Sequence, residues 1–239
     1  MKSGLTYIIF VIDRSGSMSS IRSDMIGGFN NLIKSQQDAK IGTCRVFAYK
    51  FDTIYEPMFE DTDLYQCPLL DNNNYEPRGG TALYDSLGKT IVDIGIRLES
   101  MPEEERPEKV LVVTITDGED NSHLEASQGL KRYDNQKIKE MVEHQKTRYN
   151  WDFAYIGANQ DSWAVGSSMG YSAGTTLNYV ADSAGTAVAF DMLDRSVTSY
   201  RSAAKGASFK FAPAADADDT DDATPIKTQK KRSLFSKKP

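Results

Sequence analysis

Two stretches of the chain, LTYIIFVI at Leu5–Ile12 and KVLVVTIT at Lys109–Thr116, are nearly unbroken apolar runs rich in β-branched residues. Each stops at an aspartate, Asp13 and Asp117. A strand with one wet face alternates apolar and polar residues. A run that does not alternate is buried on both faces, as at the centre of a parallel sheet covered by helices. Ligands of open parallel sheets sit at the carboxyl ends of the strands. Both aspartates are therefore predicted to lie together on that edge.

The remaining segments supply the covering layers. Ile21, Met25, Phe29 and Leu32 recur at helical spacing, as do Leu83, Leu87, Ile91, Ile94 and Leu98 in a segment fenced by Pro102 and Pro107. Cys44–Phe51 alternates and reads as a strand, with Thr53–Phe59 as its hairpin partner at an antiparallel edge. Residues 60–80 read as a turn-rich loop. A helix with Leu130, Tyr133, Ile138, Met141 and Val142 follows, then a strand at Trp151–Ile156 and a short helix at Asp161–Met169. A strand near Thr175–Tyr179 and a last helix with Phe190, Leu193, Val197 and Tyr200 complete the βα alternation. The predicted class is α/β, a mostly parallel central sheet with one antiparallel edge strand and helices on both faces.

At 239 residues, with 39% hydrophobic and 26% charged, the chain can bury a real core and is not globally disordered. Charge is unevenly placed. Residues 212–239 hold an acidic block (Asp216, Asp218, Asp219, Asp221, Asp222) and then a basic one (Lys227, Lys230, Lys231, Arg232, Lys237, Lys238), leaving 29 acids and 22 bases on residues 1–211. This divides the chain into a folded domain over 1–211 and a disordered tail over 212–239. The acidic body disfavours nucleic-acid binding, since phosphate contacts want Lys or Arg. No apolar run reaches the roughly 20 residues of a membrane span, and the N-terminus lacks the pattern of a signal peptide. Cys44 and Cys67 alone do not make a disulfide framework, so a cytoplasmic location is expected.

After the first strand, Asp13-Arg14-Ser15-Gly16-Ser17 aims one carboxylate and two hydroxyls into a small volume. Thr81, in Arg78-Gly79-Gly80-Thr81, and Asp117, in Thr116-Asp117-Gly118-Glu119, fall at element ends that such a fold brings near. Five oxygen-bearing side chains without His or Cys suit Mg²⁺ or Mn²⁺ rather than zinc. Two carboxylates leave a divalent ion formally neutral and receptive to one more anion, a partner's Asp or Glu. The competing reading of these residue types is helix caps and turns.

FVIDRSGSMS, RGGTALYDSL and VTITDGEDNS resemble, in order, the three motifs of the von Willebrand factor A domain in its metal-ion-dependent adhesion site form, a match spanning about residues 4–205. The resemblance implies a three-layer, Rossmann-like sheet with a divalent cation at its top. It also implies Ser15, Ser17 and Thr81 as direct or near-direct ligands, with Asp13 and Asp117 binding directly or through water. The segment Trp151–Gln160 through Leu177–Tyr179 is more similar to stand-alone bacterial and phage members than to adhesion receptors. By analogy with other members, a shift of the last helix tunes affinity.

Other residues read more plainly. Glu119, Asp120 and Asn121 are expected in a solvated loop, Arg14 and Arg78 in surface ion pairs, His123 and His144 on the surface, and Trp151 and Trp163 in the core. Gly27-Gly28 lacks the lysine of a phosphate loop. The expected function is a non-enzymatic, cation-dependent protein-binding module. One rival is a metal-assisted hydrolase, weakened by the want of a general base. Another is a scaffold binding an acidic groove or anionic surface through the basic tail, where Leu234 and Phe235 lie among cations and Ser233 and Ser236 offer phosphorylation sites.

Overall fold

The computed structural model describes residues 1–158 and 162–212. Its elements are β1 (Lys2–Asp13), α1 (Arg22–Asp38), β2 (Thr43–Phe51), β3 (Tyr55–Asp63), α2 (Leu83–Ser100), β4 (Pro107–Thr116), α3 (Asn135–Tyr149), β5 (Trp151–Ala158), α4 (Ser162–Ser168), β6 (Thr176–Tyr179) and α5 (Ser183–Ser202). The strands form one sheet in the order β3-β2-β1-β4-β5-β6. Only the β2–β3 pairing is antiparallel among the described residues. The α/β class, parallel centre and antiparallel edge are as predicted.

β1 and β4 are neighbours with Ile12 opposite Ile115, so both strands deliver their aspartates to one edge. The reason for their unbroken apolar runs is visible in the core. Ile8, Phe10 and Ile12 pack with Met25, Phe29, Leu193 and Val197 of α1 and α5 on one face. On the other, Tyr7, Ile9 and Val11 pack with Leu87, Ile91 and Ile94 of α2 and with Ile138 and Val142 of α3. Successive side chains of a strand point to opposite faces, so a central strand with two helical layers needs apolar residues at every position.

Boundaries shift in three places. The hairpin partner is Tyr55–Asp63 rather than Thr53–Phe59, because Asp52 and Thr53 form the turn; residues 60–63, expected in a loop, are strand. The third helix starts at Asn135, where Asp134 caps it by accepting from Lys137 N at 2.8 Å, so Leu130 and Tyr133 precede it. The last helix begins at Ser183, capped by Asp182. After it the chain doubles back: Phe209 is buried against Tyr200, and Ala212 N donates to Ser196 Oγ at 2.8 Å. The tail assigned to 212–239 lies outside the described residues except for Ala212. Among the described residues no helix is long and apolar enough to cross a membrane.

Candidate metal centre

The centre is built from the ends of β1 and β4 and the loop entering α2. Asp13 is fully buried; its Oδ1 accepts from Ser15 N at 2.6 Å and its Oδ2 from the Thr116 hydroxyl at 2.6 Å. Beyond Ser15 the chain makes a 3-10 turn, Gly16–Ile21, before α1. That turn sets the Ser15 and Ser17 hydroxyls 3.1 Å apart, and Ser17 Oγ donates to Asp117 Oδ1 at 2.6 Å. Four of the five predicted donors thus form one hydrogen-bonded chain, Asp13–Ser15–Ser17–Asp117.

Thr81 joins from the side. Its N–H donates to Asn121 Oδ1 at 2.8 Å, and its carbonyl accepts from Asn121 N at 3.0 Å and Ser122 N at 3.2 Å. A Cβ on Gly118, the residue after Asp117, would stand 3.7 Å from Thr81 Oγ1. Gly80 makes this approach possible, since a Cβ there would fall 2.1 Å from Ser122 Oγ. Neither hydroxyl that the capping reading would use is engaged in a cap: Ser15 makes no side-chain cap bond to the 3-10 turn, and α2 has Ala82, not Thr81, at its cap.

The electrostatics of the two aspartates are unbalanced. Burial pushes Asp13 up to about 7 against the bonds from Thr116 and Ser15, and burial also raises Asp117 against its bond from Ser17. Neither carboxylate has an ion-pair partner among the described residues; Arg14, next in sequence, turns away to Asp52 at 3.1 Å and to Glu56. A buried Asp13 carboxylate beside the partly exposed Asp117 is costly without a counter-charge, and a divalent ion among these oxygens would lower that cost. Asp13, Ser15 and Thr81 are each at most 2% exposed, while Ser17 is exposed and Asp117 partly so. Among the described residues no group of three or more His, Cys, Asp and Glu is placed to hold a metal, as expected for a donor set made largely of hydroxyls.

Several expectations need correction. Arg14 is not a surface residue but 3% exposed, because it turns inward to the buried Asp52; Arg78, half exposed and bonded to Asp52, fits the surface reading. Asn121 and Asp120 are not merely solvated: Asn121 holds Thr81, and Asp120 Oδ1 accepts from Tyr84 N at 3.0 Å in the first turn of α2. His123 is exposed, yet its Nδ1 lies 3.1 Å from Asp85 Oδ2, and Asp85 is buried. Trp151 is in the core as expected, but Trp163 is 56% exposed because the short helix α4 turns it outward. Sequence reasoning also passed over Thr116, Asp52 and Tyr179. Asp52 carried a usable signal, since it follows β2 directly as Asp117 follows β4, and as Asp13 closes β1. The Tyr179 hydroxyl is buried without a partner among the described residues, and burial together with the charges of Asp117 and Asp13 raises the pKa of its phenol.

No protein-family model and no curated protein matches this chain. Solved structures do. Proximal thread matrix protein 1 from the mussel byssus superposes with a TM-score of 0.53 at 14% identity, covering 82% of this chain and 46% of that one. Another structure of it has a zinc-occupied metal-ion-dependent adhesion site motif, with a TM-score of 0.52 at 14% identity over 81% of this chain and 46% of that one. Manganese-loaded TRAP protein of Plasmodium vivax gives 0.51 at 17% identity over 80% of this chain and 74% of that one. This chain spans less than half the length of the mussel protein. With its three motifs set at the carboxyl edge of this sheet, the chain has the fold of the von Willebrand factor A domain.

Proposed function

We propose that the protein is a divalent-cation-dependent protein-binding module that captures an acidic side chain of a partner. The observation that carries this reading is the Asp13–Ser15–Ser17–Asp117 chain, in which two carboxylates without ion-pair partners among the described residues meet two hydroxyls at the sheet edge. Asp13, Ser15, Ser17, Thr81 and Asp117 would hold Mg²⁺ or Mn²⁺. A bound cation would supply an open coordination position for an incoming Asp or Glu carboxylate. Thr116 holds Asp13, and Asn121 holds Thr81, so the donors are oriented before any ligand arrives.

A hydrolytic reading is less supported. The candidate base nearest in sequence, His123, is directed to Asp85, and Asp13 and Asp117 belong to the donor set. The two cysteines are free and buried, which supports a reducing, cytoplasmic setting. The test is calorimetric titration with MgCl₂ and MnCl₂, followed by pull-down from a cell extract. Heat with wild type, none with Asp13→Ala, and a partner retained in Mg²⁺ but lost in EDTA and in Asp117→Ala is the expected result. A partner retained through all of these treatments would overturn the reading.

A further inference from the structure

Thr81 is the only proposed donor from its loop, and the bonds that fix this loop run to other segments. Asn121 holds it from one side; the other side is held by β2. Asp52, the first residue after that strand and 1% exposed, receives Arg78 Nε on Oδ2 at 2.7 Å. Arg14 Nε lies 3.1 Å from the same oxygen. Arg14 belongs to the Asp13–Ser15 loop and Arg78 to the Thr81 loop, so one buried carboxylate clamps two of the three donor segments. The backbone repeats the connection: Arg78 N donates to Arg14 O at 2.7 Å, Gly16 N to Gly79 O at 3.1 Å, and Ala82 N to Asp52 O at 3.3 Å. Gly79 sits between them at φ +65°, and a Cβ on it would stand 3.4 Å from Asp52 Cβ, so this segment packs directly over the aspartate.

On the reading that the five donors hold a divalent cation, we propose that the Arg78–Asp52 ion pair is a positioning device that keeps the Thr81 hydroxyl in the metal shell. Neither residue ligates. Asp52 faces the two arginines and Ile54 N, and Arg78 spans from the exposed rim to the buried carboxylate. The pair acts on the cation only through the loop it anchors. Glu56 also meets both arginines, Arg14 through Nη2 and Arg78 at 3.8 Å, with Lys50 3.9 Å away, but its side chain is 41% exposed against 1% for Asp52, so Asp52 is the buried acceptor that the two loops share.

The sign of one substitution separates this device from simple charge. Arg78→Gln removes a positive charge near a cation site, so through-space electrostatics alone tightens Mn²⁺ binding. Loss of positioning weakens it, by about tenfold or more, as loss of outer-shell partners does. Mn²⁺ and Mg²⁺ titrations by calorimetry on wild type, Arg78→Gln and Arg78→Lys, with melting of each metal-free protein, decide the matter. Expected is weaker binding in the glutamine variant, with partial recovery in the lysine variant, which keeps a charge for Asp52. Equal or tighter binding by Arg78→Gln, a lowered melting point with unchanged affinity, or a lysine variant as weak as the glutamine one would each overturn the proposal. Absence of heat with wild type is a different failure and would overturn the metal reading itself.

Discussion

The Ser17 hydroxyl donates a 2.6 Å hydrogen bond to Asp117 Oδ1 across 100 residues of chain, joining the loop after β1 to the end of β4. Two strands that pair side by side are thereby linked at the edge where both carry an aspartate. That edge is where the chemistry of this protein is testable.

Because the carboxylates of Asp13 and Asp117 have no ion-pair partner among the described residues, a bound cation should stabilise the fold. At a free metal concentration one hundred times Kd, linkage gives about 2.7 kcal/mol, or roughly 5–10 °C in Tm for a domain of this size. Differential scanning fluorimetry with MnCl₂ should show the rise, EDTA should reverse it, and Asp13→Ala should abolish it.

Ser17 is exposed, and among the described residues its side chain bonds only at the centre. Ser17→Ala should therefore change the stability of the metal-free protein by no more than about 0.5 kcal/mol. Mn²⁺ affinity should fall by at least the ~10-fold that loss of an outer-shell partner costs. Urea denaturation and calorimetry measure the two effects separately.

Arg201, 8% exposed, lies at the far end of α5. Its Nη1 donates to Gln36 O at 3.0 Å and to Gln36 Oε1 at 2.8 Å, and its Nη2 to Ile41 O. Gln36 in turn reaches Asp194 Oδ1 and Thr198 Oγ1, each at 2.7 Å, so the network bolts α5 to α1. Arg201→Ala strands these buried acceptors and should cost about 3 kcal/mol, read as a lower urea midpoint. Metal affinity should stay within twofold, since the network sits at the edge opposite the centre. The bolt also bears on the family analogy of a sliding last helix: any displacement of α5 must first break these bonds.

Burial pushes the Cys44 thiol up to about 11 and the Cys67 thiol up to about 12 from 9.0. The folded protein holds these protons to higher pH than the unfolded chain does. Their contribution to stability is therefore complete below pH 9 and is lost as pH rises from 9 through 11 to 12. Native protein at pH 8 should show no fast reaction with a thiol reagent and two equivalents in guanidinium. Tm should decline above pH 9, and a double Cys→Ala variant should flatten that decline.

The alternation of apolar runs and helical stripes was enough to assign the α/β class, the central position of β1 and β4, and the antiparallel edge. These follow from periodicity, which is a local property of the chain. The approach of Asp13, Ser15, Ser17 and Asp117 to one another was legible because strand ends of a parallel sheet share one edge; their role, with Thr81, as cation donors is the proposal made above. Arg14 and Trp163 were misplaced for one reason: burial of a side chain depends on what folds over it. Asp52 lies under the Arg14 loop, while nothing among the described residues covers the face of α4 that carries Trp163.

Sequence alone thus determined the elements, their layers and which residues bring oxygen to the sheet edge, since each of these is written in spacing along the chain. Only the tertiary structure decided what holds those oxygens in place: Thr116 on Asp13, Asn121 on Thr81, and Asp52 between Arg14 and Arg78. Those pairings join segments far apart in the chain, and packing of the whole sheet, not any local preference, sets the distance between them.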